Sequence, residues 1–173
     1  MQNMKKNIFL LGFVFVIANS CVYCQSAKSS QNNPPQIQSE EKKREETDQR
    51  LKLVNAAIQY LGTPYLYKSN SKKGMDCSGL VYQSAREALN LTLPRSASAI
   101  AAVANKLPDG TEPEIGDLLF FNTAGGISHI AIYIGEKKFI HAASAGPRTG
   151  VIISSLEEKY WAQCFLFFAS IFE

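Results

Sequence analysis

Two kinds of periodicity meet in this chain near Lys106, and their order restricts the fold more than any other feature. Upstream, apolar residues recur at helical spacing, first at Leu51, Val54, Ile58 and Leu61, then at Leu80, Val81, Ala85, Ala88 and Leu89. Downstream, short apolar runs at 118–121, 128–134, 138–142, 151–153 and about 163–172 alternate with turn residues, as strands do. Helices followed by a mostly antiparallel sheet of five to six strands is the α+β order. A length of 173 residues suits one domain, and an apolar share of 46% is enough for its core.

Local signals refine the helical half. Thr47 is a candidate N-cap for the first helix, which Gly62 and Thr63-Pro64 end. Residues 65–74 read as a loop. A second helix is expected from Cys77-Ser78 to Asn90, and an Ala-rich third one from Ser96.

The N-terminal 20 residues read as an export signal: Lys5 and Lys6 precede an apolar run, 8–17, that is too short to span a bilayer as a helix. Ala18-Asn19-Ser20 permits cleavage before Cys21, making Cys21 a candidate lipidated residue. Cleavage before Gln25 would release a soluble periplasmic or secreted protein instead. Residues 21–46 are rich in Ser, Gln, Asn, Glu and Lys and read as a flexible tether, with the folded domain at 47–173. The expected location is the cell envelope, with membrane attachment only through a lipid. Without Lys5 and Lys6 the chain has 16 bases against 15 acids, so nothing suggests a nucleic-acid partner. Four cysteines are too few for a disulfide scaffold, and Cys164 reads as a small core residue. A monomer is expected.

Asp76-Cys77-Ser78-Gly79 lies where a loop becomes a helix. A thiol there meets the positive end of the helix dipole and free N–H groups, which should lower its pKa. Gly79 allows a close approach by substrate or a neighbouring segment. The chain has only two histidines, His129 and His141, on consecutive expected strands. A two-residue loop at Glu136-Lys137 would pair Ile132 with His141 and send the histidines to opposite faces. A three-residue loop, Gly135-Glu136-Lys137, pairs Ala131 with His141 and makes the two histidines diagonal neighbours, and this register is the one expected. Cys77 would then be a nucleophile, His129 its general base and His141 the group that orients the base.

Asp76-Cys77-Ser78-Gly79-Leu80-Val81 resembles the nucleophile motif of the NlpC/p60 family of bacterial cell-wall cysteine peptidases. Leu93-Pro94-Arg95-Ser96, Gly116-Asp117-Leu118-Leu119-Phe120-Phe121, the run from Ser128 to Gly135 and Phe139-Ile140-His141-Ala142 are similar to further elements of the family, in the same order. The resemblance implies a papain-like fold and hydrolysis of peptidoglycan stem peptides, commonly between γ-D-glutamate and a diamino acid, with no cofactor and no metal. It implies that Tyr65 helps bind substrate or an oxyanion, and that Asp76 and Ser78 hold the amine of a trimmed stem peptide. Helix capping by Asp76 or Ser78 and simple packing by Tyr65 are the local alternatives. Lys68-Ser69 stands where the family has Gly-Gly, and Ser98-Ala99-Ile100 lacks its glutamine, so the groove rim differs. A zinc site of Cys77, His129 and His141, a non-catalytic wall-binding module and a papain-like amidase or acyltransferase are the competing readings.

Overall fold

The computed structural model describes residues 35–172. The expected signal segment, both cleavage positions, Cys21 and Cys24 lie outside the described residues.

The first helix, α1 (Pro35–Ile58), starts well before Thr47. Its first half is the part of the expected tether that is rich in Glu, Lys and Arg, good helix formers that need no burial. Those side chains stay in solvent up to Glu45, and Thr47 bonds the Lys43 carbonyl instead of capping. The buried stripe of α1 is also offset from the expected one. Leu53, Val54, Ala57 and Tyr60 turn inward, while Leu51, Ile58 and Leu61 are exposed. Arg50 sets this rotation: it is buried and reaches Asp117 at 2.7 Å, Glu46 at 2.9 Å and Ser170 at 3.2 Å. A buried guanidinium needs such partners, and they tie the helix to one end of the sheet.

A short hairpin, β1 (Asn70–Ser71) and β2 (Gly74–Met75), occupies the expected loop and leads into α2 (Cys77–Leu89). Asp76 caps α2, its carboxylate accepting the Gly79 N–H at 2.6 Å, and Asn90 ends it in the left-handed conformation. Ser96 caps α3 (Ala97–Val103) through the Ala99 N–H.

The sheet has six antiparallel strands in the order β3 (Asn105–Lys106), β8 (Phe165–Ser170), β4 (Leu118–Phe121), β5 (His129–Gly135), β6 (Lys138–Ala143) and β7 (Gly150–Ser155). The short edge strand β3 and a helical turn before β8, α4 (Lys159–Cys164), were not expected from the sequence. Strand alternation creates two cores. Ile130, Ile132, Ile140 and Ala142 meet Leu80, Val81 and Ala85 of α2 on the helix side. Leu119, Phe121, Ala131, Tyr133 and Phe139 form the opposite core, covered by Trp161, Phe165 and Phe168.

The β5–β6 hairpin reaches the expected register by a different turn. Ile132 pairs with Ile140 and Tyr133 with Phe139, an offset that sets Ala131 opposite His141. Yet Gly135 pairs with Lys138, leaving only Glu136 and Lys137 in the loop, both with positive φ as a type I′ turn requires. A bulge between Tyr133 and Gly135 absorbs the extra residue and restores the alternation.

Candidate active site

Cys77 opens α2, half-buried, with its sulfur close enough to the Ile130 backbone of β5 for that N–H to lower its pKa. Ile130 directly follows His129, so the thiol lies beside the strand that carries His129. Gly79 lets the preceding loop lie close against the start of α2: a Cβ there would collide with the Ser69 carbonyl.

His129 and His141 point from the same face of the sheet. His129 Nε2 lies 2.9 Å from His141 Nδ1, and His141 Nε2 lies 3.1 Å from Ser154 Oγ. All three residues are buried. One set of protons satisfies the whole chain: His129 Nε2–H donates to His141, and His141 Nε2–H donates to Ser154. That arrangement leaves the Nδ1 lone pair of His129 available as a base. Zinc held by both rings would need these same nitrogens, which already face each other. Among the described residues no group of His, Cys, Asp or Glu has the makings of a metal site.

Aromatic rings wall the pair in. Trp161 stacks on His129, with centroids 5.3 Å apart and planes at 29°, and meets His141 edge-on at 4.6 Å. Phe121 packs on His129 and Phe139 on His141. Burial pushes His129 down to about 4 and His141 down to about 2, the latter helped by the adjacent His129 ring, which resists a second proton beside it, and by the Arg148 charge. Both rings are therefore neutral in the resting site.

The thiol departs from the sequence-based expectation. The N–H groups of Ile130, Ser78 and Cys77 do pull its pKa down, but burial pushes it up and outweighs them, and the Asp76 carboxylate adds to the rise. The helix start is present; the half-closed site removes the water that a thiolate would need. Cys77 rests as a thiol.

Tyr65 forms an isolated bridge with Met75, and burial raises its hydroxyl pKa, with the acidic groups of Cys77 and Asp76 adding to the rise. Asp76 and Ser78 are both buried beside Arg95. Asp76 Oδ2 meets Arg95 Nη2 at 3.3 Å, while Ser78 Oγ lies 3.0 Å from Asp76 Oδ1 and 3.1 Å from the Arg95 carbonyl. Asp76 is thus a helix cap with a cationic neighbour on its remaining oxygen.

Three site residues escaped the sequence reading: Ser154, Trp161 and Arg95. Arg95 stands in the quoted Pro-Arg-Ser element, so its presence was visible although its contact with Asp76 was not.

The profile of the NlpC/P60 family matches residues 62–169, which contain the whole site. The chain belongs to the NlpC/P60 family. Among its relatives, a Haemophilus influenzae protein named "Probable endopeptidase" is 38% identical over 109 residues, which cover 62% of this chain and 65% of the relative. "Murein DD-endopeptidase MepH" of Escherichia coli is 37% identical over 114 residues, covering 62% of this chain and 41% of the relative. The chain thus spans less than two thirds of these relatives' lengths. The crystal structure of the NlpC/p60 domain of the peptidoglycan hydrolase SagA superposes with a TM-score of 0.60 at 26% identity, over 70% of this chain and 98% of that domain. A Staphylococcus aureus structure described as similar to a lipoprotein of the NLP/P60 family gives 0.61 at 27% identity, over 72% and 42%. The α+β fold expected from the periodicities is the fold of this family.

Proposed function

We propose that this NlpC/P60 chain is an exported cysteine peptidase that hydrolyses amide bonds in peptidoglycan stem peptides, between γ-D-glutamate and a diamino acid. The observation that carries this reading is the His129–His141–Ser154 chain, which starts one residue before Ile130, the backbone that acts on the Cys77 thiol.

In this reading Cys77 and His129 start neutral. As the sulfur attacks the scissile carbonyl carbon, the thiol proton passes to His129 Nδ1. His129 becomes an imidazolium that still donates through Nε2 to His141, so its orientation survives the proton transfer. The Cys77 N–H and the Tyr65 hydroxyl are the donors available to the oxyanion. Collapse of the tetrahedral species breaks the C–N bond, and His129 returns the proton to the departing amine. Water, deprotonated by His129, then cleaves the thioester to a carboxylic acid and free thiol. Asp76, already bonded to Arg95, would accept the amine of a trimmed stem peptide through its charge.

A second bond is favoured by the name of one relative. MepH is called a DD-endopeptidase, which makes the cross-link amide the competing target. Digestion of purified peptidoglycan by the wild type and by Cys77→Ala, with products identified by mass spectrometry, tests both. The first reading expects fragments that begin with a diamino acid; the second expects cross-linked dimers to become monomers. Identical patterns from the two proteins would sink the peptidase itself, and consumption of an acyl donor would point to a transferase. Lipidation at Cys21 is proposed on the sequence alone, and radiolabelled palmitate incorporation that survives Cys21→Ser would exclude it.

A further inference from the structure

A hydrogen bond fixes a point and a stacked ring fixes a plane, and His129 has one of each. The bond from Nε2 to His141 Nδ1, at 2.9 Å, holds an atom close to the axis of rotation about Cβ–Cγ. The ring can turn about that axis with little change in the bond. Nδ1, the nitrogen that must face Cys77, projects to the side of the axis, so each such turn swings it off the sulfur. A second contact has to hold the plane.

Trp161 is placed to do so. Its indole lies against His129 with centroids 5.3 Å apart and planes 29° from parallel, whereas the rings of Phe121 and His141 meet His129 at 55° and 84°. The same indole stands edge-on to His141 at 4.6 Å, so it covers both partners of the bond. Trp161 is itself held in place. Phe121 and Phe139 pack edge-on against it at 5.1 and 5.4 Å. Its helix, α4, ends where the Asn122 N–H donates to the Cys164 carbonyl at 2.8 Å. Asn122 follows Phe121, the residue that pairs with His129 across β4 and β5. Indole and imidazole therefore hang from the same strand pair.

We infer that Trp161 is a positioning residue for the general base: the flat face of its indole sets the plane of the His129 ring, and so the aim of Nδ1 at Cys77. The protonated state reached during turnover suits the same contact, since an imidazolium lies favourably over the electron-rich face of an indole. The aim at Cys77 rests on the peptidase reading; the hold on the ring does not.

The chain has only two histidines, so the ring nitrogens of protein labelled with nitrogen-15 histidine can be assigned by NMR with His141→Gln as the control. An imidazole N–H is ordinarily lost to exchange with water, but one in a buried bond under an indole should be seen. At pH 7 the wild type and Trp161→Phe are expected to show a slowly exchanging His129 Nε2 proton. In Trp161→Leu, which is apolar but not flat, that proton should exchange at least about tenfold faster, the scale of a misaimed group's cost in rate. Muropeptide kinetics are read below the thermal midpoints of all three proteins. Trp161→Leu should lower kcat by about tenfold or more with KM unchanged, and Trp161→Phe should recover most of the loss. Trp161→Met, also apolar and not flat, replaces the leucine variant if that one fails to fold. A non-aromatic variant that keeps either the protected proton or the wild-type kcat would overturn the assignment, as would equal losses in the Phe and Leu variants. If the proton depends on Trp161 but the wild type cleaves no muropeptide, the peptidase reading falls and the hold on the ring stands.

Discussion

His129 Nε2 and His141 Nδ1 stand 2.9 Å apart with ring planes nearly perpendicular, so the second ring fixes the first without carrying charge of its own. His141→Ala should lower kcat on muropeptides by about 100-fold, the lower end of what a positioned acid-base group contributes. His141→Gln, whose amide oxygen can accept from Nε2–H, should recover part of that loss. Equal losses in the two variants would mean that His141 only fills space.

Acid should unfold the protein through these same rings. Their folded pKa values lie below the value of about 6.5 for an unfolded histidine, so the unfolded chain binds more protons once the pH drops under 6.5. Their contribution is complete above that pH. It fades between 6.5 and 4 for His129 and continues to fall toward 2 for His141. His129 alone accounts for about 3 kcal/mol on this scale. Urea unfolding at pH 7 and pH 4.5 should show a larger drop for the wild type than for His129→Gln/His141→Gln. A drop of the same size in both would assign the acid sensitivity to the carboxylates.

Cys77 should behave as an ordinary or weaker acid, since burial holds it above the 9.0 of a free thiol. Iodoacetamide labelling of the Cys77 peptide, followed by mass spectrometry, should accelerate steadily as the pH rises through 9. A rate that is already flat across neutral pH would indicate a preformed thiolate–imidazolium pair.

Gly79→Ala should cost about 1–3 kcal/mol, because its methyl group must displace the Ser69 carbonyl at a packed backbone crossing. Thermal unfolding measures this directly. An unchanged midpoint would show that the loop yields easily.

Asp76 separates capping from recognition. Asp76→Ala loses the bond to the Gly79 N–H and should destabilise by about 1 kcal/mol. Asp76→Asn keeps a capping oxygen and removes the charge. If the residue also holds a substrate amine, the Asn variant should unfold normally and show a raised KM. A normal KM would leave Asp76 as a cap only.

Much of this was legible in the sequence because single residue types carried it. Cys77 sits between a capping Asp and a Gly at a loop-to-helix junction, and two histidines on neighbouring strands have few ways to meet. Ser154 and Trp161 were not legible for a physical reason. A serine on β7 joins the site only through register, and the six residues of α4 are too few to show a periodic face. The first half of α1 misled because its composition lacks anything to bury, which argues equally for a tether and for a helix standing in solvent. The thiol's protonation was missed because a helix start shows in sequence and loss of water does not.

The hairpin tip at Glu136 and Lys137 is exposed, yet its length is bound to the register that places His141. Removing one residue from the bulge would advance β6 by a single step and swing the imidazole of His141 through the sheet into the helix-side core. The side chains at the tip can change without moving His141, since both point into solvent. Its residue count, by contrast, decides whether the two imidazoles meet at all.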